Sequence, residues 1–353
     1  MLYYRPISWD HYDGSVAGKG WLIVSVHRAL LQTTMLAGVV GAAFLSARDA
    51  QAADLSVGTS LPVKSVFAPN YSAVDGVNGK VEALGGTLAH KSLYGSRGAL
   101  SIPLAGHYGL QIDGALGSLQ NRGFGTIGGH LFWRDPAQGL LGVYAGYTRW
   151  NQFGGVHVTQ VAGEGEYYWQ RFTLQGVAGV EFGNSASNAT VTTSIVPHVP
   201  ESPTPGVATT TTFIEGYDVK TRFFDQINLK YYPTDNWAGY IGHRYLGGKH
   251  ALALGGEAAF PLGGGRMASA FVEGRIGEGD FQGVWGGLKL YFGQKDKTLI
   301  RRHREDDPGY VDSLASIVNN HFTSGSSSSS LFCAAPGFSN PPTTCELPNG
   351  NPG

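Results

Sequence analysis

A possible base and nucleophile stand two positions apart at His90 and Ser92, at the end of the first predicted strand. A histidine activates a serine only when the two lie within hydrogen-bond reach and a third group orients the ring. The next strand begins Arg97-Gly98-Ala99 and offers no asparagine or acid at a matching place. We therefore predict that the protein is not an enzyme and keep hydrolysis as the less favoured hypothesis.

Two carboxylates, Glu164 and Glu166, also stand two positions apart. Successive side chains of a strand point to opposite faces, so both carboxylates share one face. They could project into a water-filled interior, or they could be salt-bridged to Arg171 or to an arginine on a facing strand. The sequence leaves both interpretations open.

The two cysteines, Cys333 and Cys345, both lie near the C-terminus. A disulfide between them is plausible if the protein is exported to an oxidising compartment. The chain has no CxxC pair and no Cys/His cluster with the spacing of metal ligands. We expect no metal and no cofactor.

The composition limits the class of protein. Only 14% of the 353 residues are charged, 53 are glycine, and the formal net charge is −1, whereas an ordinary soluble domain has roughly 25% charged residues. With no long basic run in the body of the chain, we predict no nucleic-acid partner. The mean hydropathy of −0.10 argues against a bundle of transmembrane helices.

The N-terminal region predicts export. An apolar run at 35–45 follows His27 and Arg28 and precedes Ala50-Gln51-Ala52. A positive flank, a short apolar core and a small-x-small site are typical of a cleavable signal peptide. A membrane anchor is the alternative, but polar residues at 32–34 leave the run too short to span a bilayer. Residues 1–52 are thus predicted to be an N-terminal extension and signal peptide, cleaved near Ala52.

The body of the chain has a period of two residues. In 171–182, for example, Leu174 and Val180 fall on one face, and Thr173, Gln175 and Glu181 fall on the other. Twelve such segments have the length of a tilted membrane strand: 79–88, 97–104, 108–117, 125–134, 141–150, 161–169, 171–182, 227–232, 237–245, 252–260, 268–276 and 284–292. Asp225 breaks the pattern, and a bulge at residues 223–224 would restore it.

The connections between these segments alternate in length. Tight turns at 104–106, 135–138, 169–171, 233–236 and 261–265 fall on the same side as both ends of the body, and the long segment 183–217 falls on the other. This asymmetry is typical of an all-β, antiparallel, up-and-down transmembrane β-barrel. Aromatic residues near strand ends predict the belts found at membrane interfaces: Trp133, Trp150, Tyr167, Trp169, Tyr231, Trp237, Tyr291 and Phe292. A soluble β-sandwich or β-propeller is the alternative.

The last predicted strand, Gly287-Leu288-Lys289-Leu290-Tyr291-Phe292, has a glycine, apolar residues two apart and a terminal aromatic. In this, residues 79–292 resemble the porin-like outer-membrane β-barrel proteins of Gram-negative bacteria. The resemblance implies a place in the cell outer membrane, with lipids, lipopolysaccharide and the barrel-insertion machinery as partners. Proteins of this family usually end at that aromatic residue, whereas this chain continues to residue 353.

The polar face of the strands gives candidates for the lining of a pore: Glu82, Asp113, Arg134, Glu164, Glu166, Arg171, Glu181, Lys230, Arg244, Glu257, Glu273, Arg275 and Lys289. We predict a narrow porin-like channel for the passive diffusion of small polar solutes, with selectivity set by these charges. The charges could instead pair and close the lumen. The alternatives are a non-conducting structural or adhesive barrel acting through 183–217, or an outer-membrane lipid hydrolase, since certain lipid-remodelling barrels have a His-x-Ser pair like His90/Ser92.

The segments that flank the barrel are predicted to lie in the periplasm. Residues 53–78 form an N-terminal segment, and residues 293–353 form a tail whose Ser-, Pro- and Asn-rich composition indicates that it is largely disordered. Within the tail, 309–322 could form a short helix with Val311, Leu314, Ile317 and Val318 on one face.

Overall fold

The computed structural model describes residues 72–196, 206–306 and 308–332. The predicted extension and signal peptide, residues 53–71 of the N-terminal segment, and the cysteine pair Cys333 and Cys345 lie outside the described residues.

Twelve strands form a closed barrel, as the sequence predicts. They are β1 (Asn78–Leu88), β2 (Lys91–Pro103), β3 (Tyr108–Leu119), β4 (Arg122–Asp135), β5 (Gly139–Trp150), β6 (Val156–Trp169), β7 (Phe172–Gly183), β10 (Arg222–Thr234), β11 (Trp237–Leu246), β12 (Lys249–Gly263), β13 (Arg266–Gly277) and β14 (Gly283–Phe292). Every pair is antiparallel, and β7 pairs directly with β10 because the two intervening strands leave the wall. The barrel closes where β1 pairs with β14, from Gly79 opposite Phe292 to Leu88 opposite Gly283.

The alternation along each strand sorts side chains between the interior and the exterior, as the period of two predicts. On β7, Leu174 and Val180 are exposed on the outside, whereas Thr173 and Glu181 are buried on the inside. No bulge precedes Asp225, because β10 pairs with β7 in unbroken register from Arg222 to Tyr231. The predicted bulge at 223–224 is therefore wrong, and the Asp225 carboxylate lies 2.8 Å from the ring of His243 instead.

Two of the aromatic residues predicted for the membrane belts are placed differently. Trp150 and Tyr291 are almost completely buried. The Trp150 ring nitrogen donates a hydrogen bond to the Leu119 carbonyl at 3.1 Å, and the Tyr291 hydroxyl contacts Glu257 at 2.8 Å. Both face the interior because the alternation of their strands, rather than their position at a strand end, decides their side.

The segment predicted as the long loop 183–217 is mostly a β-hairpin. Its strands β8 (Ser185–Val196) and β9 (Gly206–Asp218) pair in antiparallel register, and a third strand, β15 (His321–Phe332), pairs with β9. The resulting three-stranded sheet, in the order β15-β9-β8, is separate from the barrel wall. We call it the hairpin sheet.

The tail, which the sequence predicts to be largely disordered, is ordered in its described part, residues 293–332. It forms the short helices α1 (Leu299–Glu305) and α2 (Ser313–Asn319) before it becomes β15. The helix predicted within 309–322 is thus present and shorter. Neither helix of the described residues has the length and apolar character needed to cross a membrane. The tail is ordered because the inside of the barrel supplies the core that its own composition lacks.

Candidate functional site: the lumen and the segment that crosses it

The tail runs through the barrel from one end to the other. Both ends of the barrel wall, Asn78 and Phe292, lie at what we call the terminal end, and β8–β9 leaves from the opposite hairpin end. The tail enters the lumen after Phe292 and reaches β9 at His321, which pairs with Tyr217. We call residues 297–320 the lumenal segment.

At the terminal end, an ionic cluster holds the start of the lumenal segment. The buried Lys297 ammonium contacts the carboxylates of Asp306, of Glu305 at 3.3 Å, and of Asp75 at 3.5 Å. The buried Arg302 guanidinium donates a hydrogen bond to the Gly265 carbonyl at 2.8 Å. These contacts join α1 both to the wall and to the residues that precede β1.

Asp75 also binds Lys295, at 3.1 Å. Burial by itself would raise the pKa of the Asp75 carboxyl, but the hydrogen bond from Lys295 and the charge of Lys297 together hold that pKa below its ordinary value of 3.8. The charged form of Asp75 therefore stabilises the contact between the start of the tail and the N-terminal segment.

One face of α1 packs against polar side chains of the wall. The His303 ring lies 3.0 Å from the Tyr232 hydroxyl and 3.2 Å from the Tyr291 hydroxyl. Glu257 lies 3.6 Å from the same ring, and it accepts a hydrogen bond from Lys289 at 2.9 Å. Of the predicted pore-lining residues, Glu257 thus contacts α1, and Lys289 contacts Glu257.

At mid-lumen, the chain between the helices contacts opposite walls. The Pro308 carbonyl accepts hydrogen bonds from Lys80 and Gln111, each at 3.4 Å. The Asp312 carboxylate lies 2.5 Å from the Arg275 guanidinium, which also binds Glu273 at 2.6 Å. The Asp312 backbone N–H also donates a hydrogen bond to the Gln226 side chain at 3.2 Å. Gln226 on β10 lies five strands around the barrel from Gln111 on β3, so the segment connects nearly opposite sides of the wall.

Near the hairpin end, α2 is buried on all sides. Its polar side chains meet the wall, with the Ser313 hydroxyl against Thr148 and the Ser316 hydroxyl 3.0 Å from the Gln160 amide. Its apolar side chains, Leu314, Ile317 and Val318, join a buried cluster with residues of the wall and of β9: Leu88, Ala89, Leu93, Leu119, Trp150, Val156, Val158, Tyr217, Val219 and Trp285. This cluster buries the apolar face of α2, whereas Ala315 belongs to a second buried cluster.

The segment leaves the lumen beside the β11–β12 turn. Asn319 donates a hydrogen bond to the Leu246 carbonyl at 2.8 Å, and Asn320 accepts one from Arg222 at 2.8 Å. Gly247 has a φ of +60°, and a Cβ there would lie 2.6 Å from the Ser316 carbonyl oxygen. A glycine is required both for the left-handed turn and for this close approach.

The width of the barrel explains why one helical segment fits. Twelve strands about 4.8 Å apart, tilted by about 40°, give a backbone cylinder roughly 24 Å across. Inward side chains reduce the free width to about that of one helix with its side chains, roughly 10–12 Å. The lumenal segment therefore occupies the space that an open pore would use.

The pore-lining candidates point inward with one exception. Arg171 lies in the β6–β7 turn, where its half-exposed side chain contacts Asp235 at 3.0 Å and the Tyr232 carbonyl at 3.2 Å. The other twelve occupy the inward positions of their strands. Arg134, for example, is completely buried and donates a hydrogen bond to the Ala73 carbonyl at 3.2 Å.

Glu164 and Glu166 have different partners, and neither contacts Arg171. Glu166 accepts hydrogen bonds from Tyr168 and Gln175, each at 2.8 Å. Glu164 lies 2.7 Å from the Nδ1 atom of His130, whose Nε2 atom lies 2.9 Å from Asp113. The sequence analysis did not include His130 among the pore-lining candidates, and the signal that could have found it is its inward position on β4 beside β3, which has the inward acid Asp113.

Other charged candidates pair across the wall. Glu82 contacts Arg97 and lies 3.6 Å from Lys289. Glu181 accepts hydrogen bonds from the Gly247 backbone at 2.8 Å and from the Gln160 amide at 3.3 Å. Glu82 is thus paired with charged residues of the two neighbouring strands, whereas these two donors to Glu181 are uncharged.

A polar cavity of about 140 Å³ remains beside the lumenal segment. Lys230 and Arg244 line it, together with Glu166 and Glu273. Arg244 lies 3.8 Å from Glu273 and donates a hydrogen bond to Asn228 at 2.8 Å. The cavity is small and is lined by both positively and negatively charged side chains, so a few water molecules would suit it.

His90 and Ser92, the possible base and nucleophile, make no described hydrogen bond to each other. His90 lies in the β1–β2 turn with a φ of +61°, and its Nε2 atom is 2.6 Å from the Gln282 amide. Ser92 begins the exposed face of β2 and makes no hydrogen bond with His90 among the described contacts. The prediction that the protein is not an enzyme stays a prediction.

Comparisons with known proteins give weak structural matches. The sequence matches no protein-family model and no curated protein. An outer-membrane channel from Pseudomonas putida F1 is 10% identical, with a TM-score of 0.37 over 65% of this chain and 99% of that one. The translocator domain of the autotransporter NalP from Neisseria meningitidis is 12% identical, with a TM-score of 0.31 over 74% and 97%. The siderophore receptor PirA from Pseudomonas aeruginosa is 11% identical, with a TM-score of 0.25 over 57% of this chain, and the chain spans 45% of its length.

Proposed function

We propose that the protein is an outer-membrane β-barrel that is closed to solutes by its own C-terminal segment and that presents the hairpin sheet outside the cell. This is the structural or adhesive alternative of the sequence analysis rather than the predicted channel. The observation that carries it is the lumenal segment, whose contacts reach the wall at the terminal end, at mid-lumen and at the hairpin end.

The outside of the barrel supports a place in a membrane. Its large apolar side chains are widely exposed, with Leu116 and Leu288 each 70% and Leu141 69% accessible. In water such a surface would cause aggregation, whereas lipid would cover it. Exposed aromatic residues lie towards both ends of the wall, where membrane interfaces favour them: Tyr108, Tyr167, Trp169 and Tyr231 towards the terminal end, and Tyr94, Tyr147 and Phe223 towards the hairpin end.

The arrangement of the connections supports the orientation. In outer-membrane barrels the short turns face the periplasm and the longer connections face outward. Here the terminal end has only short turns, and the hairpin end has the extended β8–β9 connection. The tail then passes from the periplasmic end to the outer surface.

The predicted passage of small polar solutes is a second candidate. The polar cavity beside Lys230 favours it, because a path lined by charges of both signs would open if the lumenal segment withdrew. The charges that such a path needs are the ones that hold the segment in this structure, among them Arg275 and Glu257.

Single-channel recording in planar bilayers tests the closed state. The protein from Ala53 to Gly353 should be silent, whereas a chain that ends at Gly293 should give stable current steps. Because the shortened chain lacks the core supplied by the tail, its folding is checked first by heat-dependent gel mobility and by its β-sheet circular dichroism.

A separately made peptide of residues 293–332 provides the matched control. Added to the terminal side of the shortened barrel, it should reduce the current, and a peptide of the same composition in scrambled order should not. Steady current through the full-length protein would overturn the proposal and favour the channel. A folded shortened barrel that stays silent would also contradict it.

A further inference from the structure

The hairpin sheet has two unprotected edges. Within the described residues, β8 pairs with β9 alone, and β15 also pairs with β9 alone. The outer edge of each strand therefore presents a row of backbone N–H and C=O groups. Such an edge is a template for pairing with another strand.

Strand β8 lacks the features by which proteins usually block an edge. It reads SASNATVTTSIV and contains no charged residue, no proline and no glycine. Its pairing with β9 runs without a bulge from Ser185 opposite Asp218 to Val196 opposite Val207. A long, regular, uncharged strand whose outer half is rich in Thr, Val and Ile is the kind of edge that pairs readily with its own copy.

The exposed side chains of β8 include apolar and β-branched residues, which favour pairing of the strand with another strand. Val191, Ile195 and Val196 are each more than 60% exposed, and threonines lie between them. Strand β15, by contrast, is a run of serines with Gly325, residues that form strands less readily. The β8 edge is therefore the better pairing surface.

We infer that the β8 edge binds the β8 edge of a second copy of this chain. The occupant is a second copy because an uncharged edge offers no complementary charge to a different partner, and because like strands pair without introducing repulsion. An antiparallel pair of this length would add about one hydrogen bond per residue pair. The two hairpin sheets would then form one six-stranded sheet.

The strand direction decides how the two copies are arranged. β8 begins at the barrel and runs away from it, because it follows β7 directly. Copies in one membrane would bring two β8 strands together pointing the same way, whereas copies in facing membranes would bring them together antiparallel. Since antiparallel strands pair slightly better, the geometry assigns contact between facing surfaces. This inference rests on the outward orientation of the hairpin sheet proposed above.

Many weak pairs would act together between two surfaces. After the first pair forms, neighbouring copies are held near their partners, so overall binding can exceed that of one pair by orders of magnitude. The relevant measurement is therefore the joining of vesicles rather than the dimerisation of single molecules.

The test uses two populations of phosphatidylcholine vesicles that carry the full-length protein, one made dense with sucrose and the other fluorescent. Joining is measured as the fluorescence that sediments with the dense vesicles. The edge variant is Thr192→Lys, and the control is Thr211→Lys on β9. Thr192 and Thr211 are opposite each other, so both variants place the same charge on the same face, but only the first places it at the edge.

The wild type and Thr211→Lys should sediment the fluorescent vesicles, and Thr192→Lys should fall to the level of protein-free vesicles. Joining by Thr192→Lys equal to that of the wild type would overturn the inference. So would an equal loss in both variants, because charge on the sheet rather than pairing at its edge would then be the cause. The single-channel recordings are independent of this result, so a failure of vesicle joining is distinguishable from a failure of the closed barrel.

Discussion

The contact between Asp312 and Arg275 gives a quantitative test of how firmly the lumenal segment is held. The Arg275 side chain is only 2% exposed and contacts Glu273 at 2.6 Å and Asp312 at 2.5 Å. Arg244 lies 3.8 Å from the same Glu273 carboxylate. Without the Asp312 charge, two buried guanidinium groups would share one carboxylate.

We therefore choose Asp312→Asn, which removes the charge and preserves the size. Asparagine also starts helices well, so the N-cap of α2, where Asp312 accepts a hydrogen bond from the Ala315 backbone, should survive. Loss of a whole buried pair costs about 3–5 kcal/mol. Because Glu273 still binds Arg275, we expect a smaller loss of about 2–3 kcal/mol, in the upper part of the range of roughly 1.5–3 kcal/mol for a hydrogen bond to a charged group.

This loss should appear as more frequent openings. At about 1.4 kcal/mol for each factor of ten, 2–3 kcal/mol raises the population of the withdrawn segment about 30- to 140-fold. Single-channel recordings would measure it as the fraction of time that current flows. The matched control is Asp218→Asn, which removes an exposed contact with Lys220 at 3.7 Å and should change the fraction by less than about fivefold. If Asp312→Asn opens no more often than Asp218→Asn while the chain ending at Gly293 conducts, Asp312 does not hold the segment.

Three further predictions concern stability. Lys297→Met leaves the buried Asp306 and Glu305 carboxylates with only Arg302 and Arg301 as cationic partners and should lower the unfolding free energy by about 2–3 kcal/mol, less than the cost of an uncompensated buried charge. Exposed Lys295→Met should cost less than about 1 kcal/mol in the same thermal melts in detergent, and equal losses would contradict the cluster. His130→Ala removes the imidazole that Asp113 and Glu164 share, although Gln111 still donates a hydrogen bond to Asp113. It should lower the free energy of urea unfolding by about 3 kcal/mol, and adding Asp113→Asn should recover part of that stability; no recovery would count against the pairing. The pKa of the Asp75 carboxyl is lowered in the folded protein, so its contacts with Lys295 and Lys297 stabilise the fold above pH 3.8 and are lost as the pH falls below that value. Proteolysis of residues 72–77 should therefore increase below pH 3.8 in the wild type. In Asp75→Asn, the rate of this proteolysis should not change with pH over the same range.

The barrel wall could be predicted because each strand has its own periodic signal. A strand with lipid on one side and a polar interior on the other must alternate, as Leu174 and Thr173 do, and twelve such segments predict the fold and the inward positions. The pattern fails where that two-sided environment ends. Arg171 continues the alternation of β7 in sequence but lies in a turn, where both faces meet solvent.

The hairpin sheet escaped prediction for the same physical reason. Ser, Thr, Asn and Ala on both faces of β8 leave no alternation to detect, so the segment resembles a loop. Its strand structure comes from pairing with β9, and that of the serine run in β15 comes from pairing across more than a hundred residues of sequence. The periodicity of one segment carries no information about its contacts with residues so far away in the sequence.

What the sequence by itself determined is the closed antiparallel barrel, its strands and the side on which most side chains of the wall lie, because these follow from local alternation and short turns. It also predicted the apolar face of α2. Only the tertiary structure decided where that face is buried and which interior charges are neighbours. A polar tail with few apolar residues is indistinguishable from a disordered one until a lumen about one helix wide surrounds it, and the same charges that would line a channel then hold the segment that fills it.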